Sequence, residues 1–279
     1  MSSLPLLPHI ELRGESGVIA LGFGLLSTLL FSSSYLLRTN PSIFFRKNQN
    51  SKKRPRVSKS QLLNILQDTI PIVKDSEIAA VSTVVKPGTT TASTPIPLAK
   101  VLENINKYIQ EKSTKELYPQ HNITEEDVEE AYRYYAEDPA VRAAAASITY
   151  AHPLFLPTSQ ILSIQTKVVD AEIQIHKDAI KTAEEENIPL NSRPFTNIVS
   201  AKVRAAGGID RHGDGRTPSL LGPELERHGY GEKEPLWSYI VSYMLTQEAA
   251  EGKNDLKITF FNILEGQKTA LRNLGLSVS

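Results

Sequence analysis

One loop of this chain concentrates side chains that can bind anions and transfer chemical groups. Residues 211–218 read Arg-His-Gly-Asp-Gly-Arg-Thr-Pro, and a second Arg-His-Gly triplet follows at residues 227–229. A planar guanidinium can hold two oxygens of a phosphate at once, and a neighbouring imidazole can act as a nucleophile. The leading hypothesis assigns no catalytic residue, and Arg211, His212 and Arg216 are candidates only under an alternative, phosphate-type function.

The same stretch resembles the Arg-His-Gly-x-Arg-x-Pro signature of the histidine phosphatases, with one additional residue before Arg216. The resemblance covers eight residues. It implies that His212 is the phosphorylated nucleophile and that Arg211 and Arg216 clamp the phosphate. In that family the signature follows an early strand of an α/β domain, whereas here it follows a predicted helix. A phosphate-type site in residues 207–233 is therefore kept as the alternative function.

Two other interpretations of residues 207–233 are open. Glycine and proline supply turn conformations, so the segment is also typical of a surface loop without chemistry, which is the leading interpretation. A calcium loop would use Asp210 and Asp214, but its third position is His212 and its twelfth is Leu221. Calcium needs oxygen ligands at those positions, so this interpretation is disfavoured.

Other chemistry is restricted by composition. The chain contains no cysteine, which excludes disulfides, iron–sulfur clusters and thiol nucleophiles. Glu172 and His176 share one helix face, but no second pair accompanies them to complete a metal site. We expect neither a metal nor a cofactor, and the leading hypothesis is not an enzyme.

Residues 17–37, GVIALGFGLLSTLLFSSSYLL, contain no charge. About 20 apolar residues are enough to cross the hydrocarbon core of a bilayer as a helix. We predict a single transmembrane helix here, after a short N-terminal tail of residues 1–16. A cleaved signal peptide ending near Ser32–Ser34 and a buried soluble helix are the alternatives.

Basic residues follow the apolar segment and predict its orientation. They include Lys52, Lys53, Arg54 and Arg56. Positive charge prefers the cytoplasmic side or its equivalent inside an organelle, so residues 38–279 should face the cytosol or an organelle interior. The run also resembles a nuclear import signal, but beside an apolar span its attraction to anionic lipid is the simpler explanation. The glycosylation pattern at residues 122–124 matters only in the opposite orientation.

Small side chains recur every fourth residue within the apolar segment, at Ala20, Gly24, Thr28 and Ser32. On a helix they form one stripe, and such stripes allow two membrane helices to approach closely. This pattern predicts helix–helix packing in the bilayer, although small residues are also common there by chance.

The formally neutral chain divides into two oppositely charged parts. Residues 1–60 carry nine Lys and Arg against two acidic residues, and residues 61–279 carry 22 basic against 29 acidic residues. Nucleic-acid binding requires basic surface, so the acidic main part argues against a nucleic-acid partner.

The rest of the chain is predicted to be a linker followed by a mainly α-helical domain. Residues 38–97 are basic and then rich in Thr, Ser and Pro, with a short helix near residues 60–70 that Pro71 ends. Residues 98–279 should form one domain of about five to seven helices, because apolar residues recur at three- and four-residue spacing. Alternation at residues 169–175 leaves a strand as an alternative there.

These features favour a membrane-anchored helical adaptor or assembly protein that recruits a protein partner to a membrane surface. The hypothesis rests on the predicted span, the linker and the acidic helical domain, together with the weakness of the catalytic motifs. The identity of the partner is open, and no nucleic acid is expected.

Overall fold

A computed structural model describes residues 54–85, 96–208 and 219–277. The predicted membrane helix at residues 17–37 lies outside these ranges, and none of the helices within them is long and apolar enough to cross a bilayer. The described residues are mainly helical and contain no strand, which confirms the mainly α class.

The first helix, α1 (Lys59–Val84), is longer than the sequence predicted. It starts at a capping box that Ser58 forms with Gln61, and it continues through Pro71. Pro71 lies on the solvent side, whereas the opposite face stays buried along the whole helix. Burial of that face outweighs the one backbone hydrogen bond that proline removes. The predicted short helix at residues 60–70 is thus corrected to a 26-residue helix.

Helix α1 also belongs to the hydrophobic core rather than to a linker. Its buried side chains pack with those of the following helices, and they include Leu62, Ile65, Leu66, Val73 and Ala80. The sequence predicts a linker over residues 38–97 and a helical domain that begins at Leu98. The packing of α1 corrects that boundary for residues 59–84.

The chain then returns antiparallel to α1. Helix α2 (Leu98–Lys112) lies against it, with Asn104 Nδ2 donating to Thr83 Oγ1 at 2.7 Å. A π-helical turn, Ser113–Leu117, leads into the short α3 (Tyr118–His121). The π turn holds the extra residue that lets the chain remain helical up to Pro119, which lacks a donor.

Helices α4 (Glu125–Tyr135) and α5 (Pro139–Ala151) begin as the sequence predicted. Thr124 forms a capping box with Asp127, and Asp138 caps α5 with Pro139 as the first helical residue. Helix α5 runs parallel to α1 and packs on it. The resulting first half has α1 between α2 and α5.

The second half is built around α6 (Thr158–Glu185), a 28-residue helix. It is helical throughout residues 169–175, so the strand alternative is wrong. Helix α7 (Arg193–Ala205) folds back on α6, and α10 (Asp255–Asn273) packs on α6 as well.

Two further segments join the halves. The short α8 (Leu221–Arg227) leads through a 3₁₀ turn, Gly231–Leu236, into α9 (Trp237–Ala250). Tyr239 Oη of α9 donates to Ile96 O at 3.0 Å, next to the start of α2. The described part of residues 98–279 contains nine α-helices, more than the predicted five to seven, because it includes the four-residue α3 and the seven-residue α8.

Candidate functional site

The two ends of the predicted phosphate loop are described, but the loop itself is not. Arg211, His212 and Arg216 lie outside the described residues, so their arrangement stays a prediction. A Cβ atom added to Gly208 would lie 2.4 Å from Val203 Cγ1 and 3.1 Å from Ser219 O. Gly208 and Ser219 are therefore neighbours, and the loop starts and ends at almost the same point beside α8.

The second Arg-His-Gly triplet lies at the end of α8, around a buried carboxylate. The Glu224 side chain is 8% exposed. Arg227 Nη1 lies 3.0 Å from Glu224 Oε2, and Lys167 Nζ of α6 lies 3.7 Å from Glu224 Oε1. His228 Nδ1 lies 3.4 Å from the same Oε1. A buried carboxylate is stabilised by such partners, so Arg227 and Lys167 compensate its charge, and His228 adds a polar contact.

The hydrogen bonds of His228 assign its tautomer. Nδ1 lies 2.9 Å from the Glu224 carbonyl oxygen, which can only accept, so Nδ1 carries the hydrogen. Nε2 lies 3.4 Å from Lys167 Nζ, whose ammonium group can only donate. Both ring nitrogens are thus engaged within the protein. This geometry suits a structural contact of His228 between α6 and α8 better than the role of a nucleophile.

A second polar cluster, which sequence analysis missed, lies where the two halves meet. Lys233 Nζ in the 3₁₀ turn donates to Pro153 O at 2.7 Å and lies 3.6 Å from Glu77 Oε1 of α1. The Lys233 side chain is 17% exposed, and burial lowers the pKa of its ammonium group while Glu77 opposes that change. One lysine therefore links α1, the end of α5 and the 3₁₀ turn.

His152 lies next to this junction and is almost completely buried, at 1% exposure. Its ring stacks on Tyr243 of α9 with the centroids 5.0 Å apart, and its Nδ1 accepts from the Leu154 backbone N–H at 3.2 Å. Burial, assisted by the positive charge of Lys233, lowers the pKa of His152 to about 3. The only signal in the sequence was the His-Pro pair that ends α5, which predicts a helix end but not a buried ring.

Glu172 and His176 both have partners within the protein. His176 Nδ1 lies 2.7 Å from the Glu172 carbonyl oxygen, and the Glu172 carboxylate accepts a hydrogen bond from Gln267 of α10. Burial raises the pKa of Glu172, and the bond from Gln267 opposes this. No cluster of three or more His, Asp or Glu in the described ranges could hold a metal ion.

Two large apolar side chains are exposed one helical turn apart on α10. Ile258 is 57% exposed and Phe261 is 50% exposed. Asn262 and Glu265 lie on the same side of the helix by their spacing and are also exposed. This surface, which we call the α10 face, combines an apolar centre with a polar border.

The predicted membrane residues fall mostly outside the described ranges. This applies to the stripe of Ala20, Gly24, Thr28 and Ser32 and to Lys52 and Lys53. Arg54 and Arg56 are described, and both are exposed.

Comparisons with known proteins do not assign this chain to a family. No protein-family model, no curated protein and no solved structure matches this chain.

Proposed function

We propose that this chain is a membrane-anchored helical adaptor or assembly protein, which recruits a protein partner to a membrane surface. In this proposal residues 17–37 form a single-pass anchor, and residues 38–279 face the cytosol or an organelle interior. The stripe of Ala20, Gly24, Thr28 and Ser32 packs against another membrane helix.

The α10 face is the observation that carries the recruiting role. Large apolar side chains that are exposed as a group cost hydration free energy, and they commonly mark surfaces that a partner covers. The part of the chain that contains α10 has a net negative charge, with 29 acidic against 22 basic residues between positions 61 and 279. Charge complementarity therefore favours a partner protein whose apolar patch is bordered by basic residues.

Proximity labelling in cells tests this function. We expect the full chain to label a defined set of membrane-associated proteins, and a version that lacks residues 1–38 to lose that set. Ile258→Glu with Phe261→Glu should remove one or a few proteins from the set while the chain stays in the membrane. Lys257→Glu, which introduces a glutamate at an exposed position next to Ile258, is the matched control. Labelling of bulk membrane proteins alone by the unaltered chain would contradict recruitment.

A phosphate-type enzyme is the second candidate, and one observation favours it. Gly208 and Ser219, the described residues on either side of the segment that carries Arg211, His212 and Arg216, are neighbours. Under this alternative His212→Ala abolishes hydrolysis of a phosphomonoester and leaves the thermal unfolding midpoint nearly unchanged. Equal turnover by the His212→Ala variant, or no turnover by the unaltered chain, would eliminate it.

A further inference from the structure

The basic residues around the start of α1 are held against the helical domain. Arg56 Nη1 lies 3.3 Å from Asp127 Oδ2, and Arg56 Nη2 lies 3.4 Å from the Asn122 carbonyl oxygen. Lys59 Nζ lies 2.9 Å from Asp138 Oδ2. Val57, between them, is 1% exposed. These contacts fix residues 56–59 on the surface formed by the beginnings of α4 and α5.

Both acidic partners already have a structural task at a helix N-terminus. Asp127 Oδ2 accepts from the Thr124 backbone N–H at 2.9 Å, and Asp138 Oδ1 accepts from the Ala140 N–H at 2.9 Å. Helix N-termini hold such carboxylates in place. The basic side chains therefore meet acceptors whose positions do not depend on the linker.

We propose that Arg56, Val57 and Lys59 form a releasable linker clasp with Asp127 and Asp138, and that an anionic lipid surface opens it by competing for the two basic side chains. The inference rests on the proposed membrane anchor, since the clasp joins the domain to the segment that leads to residues 17–37. A closed clasp fixes the end of the linker, next to α1, on the domain and limits how the domain can turn above the bilayer. An open clasp frees the domain to present the α10 face.

Exposure and charge make this competition feasible. The Arg56 and Lys59 side chains are 62% and 47% exposed, so lipid phosphates can reach them without unfolding of the domain. Exposed ion pairs are weak and are screened by salt. Basic residues near an anionic membrane are attracted with comparable strength, and Lys52, Lys53 and Arg54 add to that attraction in the same segment.

Distance measurements on the full chain in lipid vesicles test the clasp. Because the chain has no cysteine, spin labels can be attached to Arg54→Cys before the clasp and to Glu130→Cys on α4. In phosphatidylcholine vesicles we expect a short, narrow distance distribution. In vesicles that contain phosphatidylserine it should broaden and lengthen by up to about 15 Å, the reach of the four or five released residues. Identical distributions in the two lipids would overturn the inference.

Removal of the negative charges of Asp127 and Asp138 provides a second test. Asp127→Asn with Asp138→Asn keeps a side-chain oxygen that can accept from the Thr124 and Ala140 backbone N–H groups but removes both negative charges. This variant should show the long distribution even in phosphatidylcholine, and an unchanged short distribution would also overturn the inference. Glu103→Gln, which removes an ion pair with Lys100 elsewhere, is the matched control. A Lys107→Cys and Glu130→Cys label pair within the domain should not change.

Flotation of the same vesicles separates the two proposals. A chain that does not float with either lipid contradicts the membrane anchor. In that case the same label pair in lipid-free solution, with and without Asp127→Asn and Asp138→Asn, shows whether the contacts of the clasp form.

Discussion

The buried His152 should make the stability of the domain depend on pH in the acid range. The ordinary pKa of histidine, about 6.5, applies to the unfolded chain, and the pKa in the folded domain is lowered to about 3. Above pH 6.5 the ring is neutral in both states and adds no pH dependence. As the pH falls below 6.5, the unfolded chain binds a proton that the folded domain cannot accept, so the free energy of unfolding decreases.

The size of this effect follows from the two pKa values. Each pH unit between 6.5 and 3 costs about 1.4 kcal/mol of the unfolding free energy, so lowering the pH from 7 to 5 should cost about 2 kcal/mol through His152 alone. His152→Asn removes this contribution while its side-chain oxygen can still accept from the Leu154 N–H. The variant also loses the stacking on Tyr243 at both pH values. The quantity compared is therefore the change in unfolding free energy between pH 7 and pH 5.

Urea unfolding at pH 7 and pH 5 measures the difference. Trp237, the only tryptophan, lies in α9 with Tyr243 and reports unfolding by its fluorescence. We expect the loss of unfolding free energy between the two pH values to be smaller in His152→Asn by about 2 kcal/mol. Tyr243→Phe retains an aromatic partner and should keep the full loss. An equal loss in His152→Asn and the unaltered chain would refute the buried, neutral imidazole.

Three further predictions concern packing and topology. Gly208→Ala should lower the unfolding free energy by about 1–3 kcal/mol, because the added Cβ would overlap Val203. Gly266→Ala in α10 should raise it by about 0.5–1 kcal/mol, because the added Cβ meets no atom within 4 Å. Urea unfolding at pH 7 compares the two variants, and equal effects would contradict the packing around Gly208. Leu256→Ala empties a site with 0% exposure and should cost about 2–5 kcal/mol in the same assay, so a loss below 1 kcal/mol would be inconsistent with that burial. Asn122 is exposed within a glycosylation pattern but should carry no glycan in the proposed orientation, and a mobility shift after glycosidase treatment would contradict it.

Local signals in the sequence predicted most of the helices. Thr124 and Asp138 mark the starts of α4 and α5 because their side chains bond to the first backbone N–H groups, an interaction that depends only on nearby residues. Pro71 predicts the end of α1 wrongly because a proline is a local signal, whereas burial against α2 and α5 keeps the chain helical beyond it. Tertiary packing outweighed local preference there.

The polar cluster around Lys233 could not be predicted in the same way. Lys233 and Pro153 are 80 residues apart in sequence and meet only because the 3₁₀ turn packs on the end of α5. No spacing rule connects them. The Glu224 cluster was partly visible as the second Arg-His-Gly triplet, but the contribution of Lys167 from α6 depends on how two distant helices pack.

The membrane anchor is the central claim, and topology is its most direct test. The chain carries one tag at Met1 and another at Ser279, and sealed membranes of known orientation are treated with protease and, separately, with carbonate. We predict that the protein stays with the membrane in carbonate, that the two tags lie on opposite faces, and that the Ser279 tag is on the cytosolic or organelle-interior face. Release by carbonate, or a Ser279 tag on the opposite face, would contradict the account.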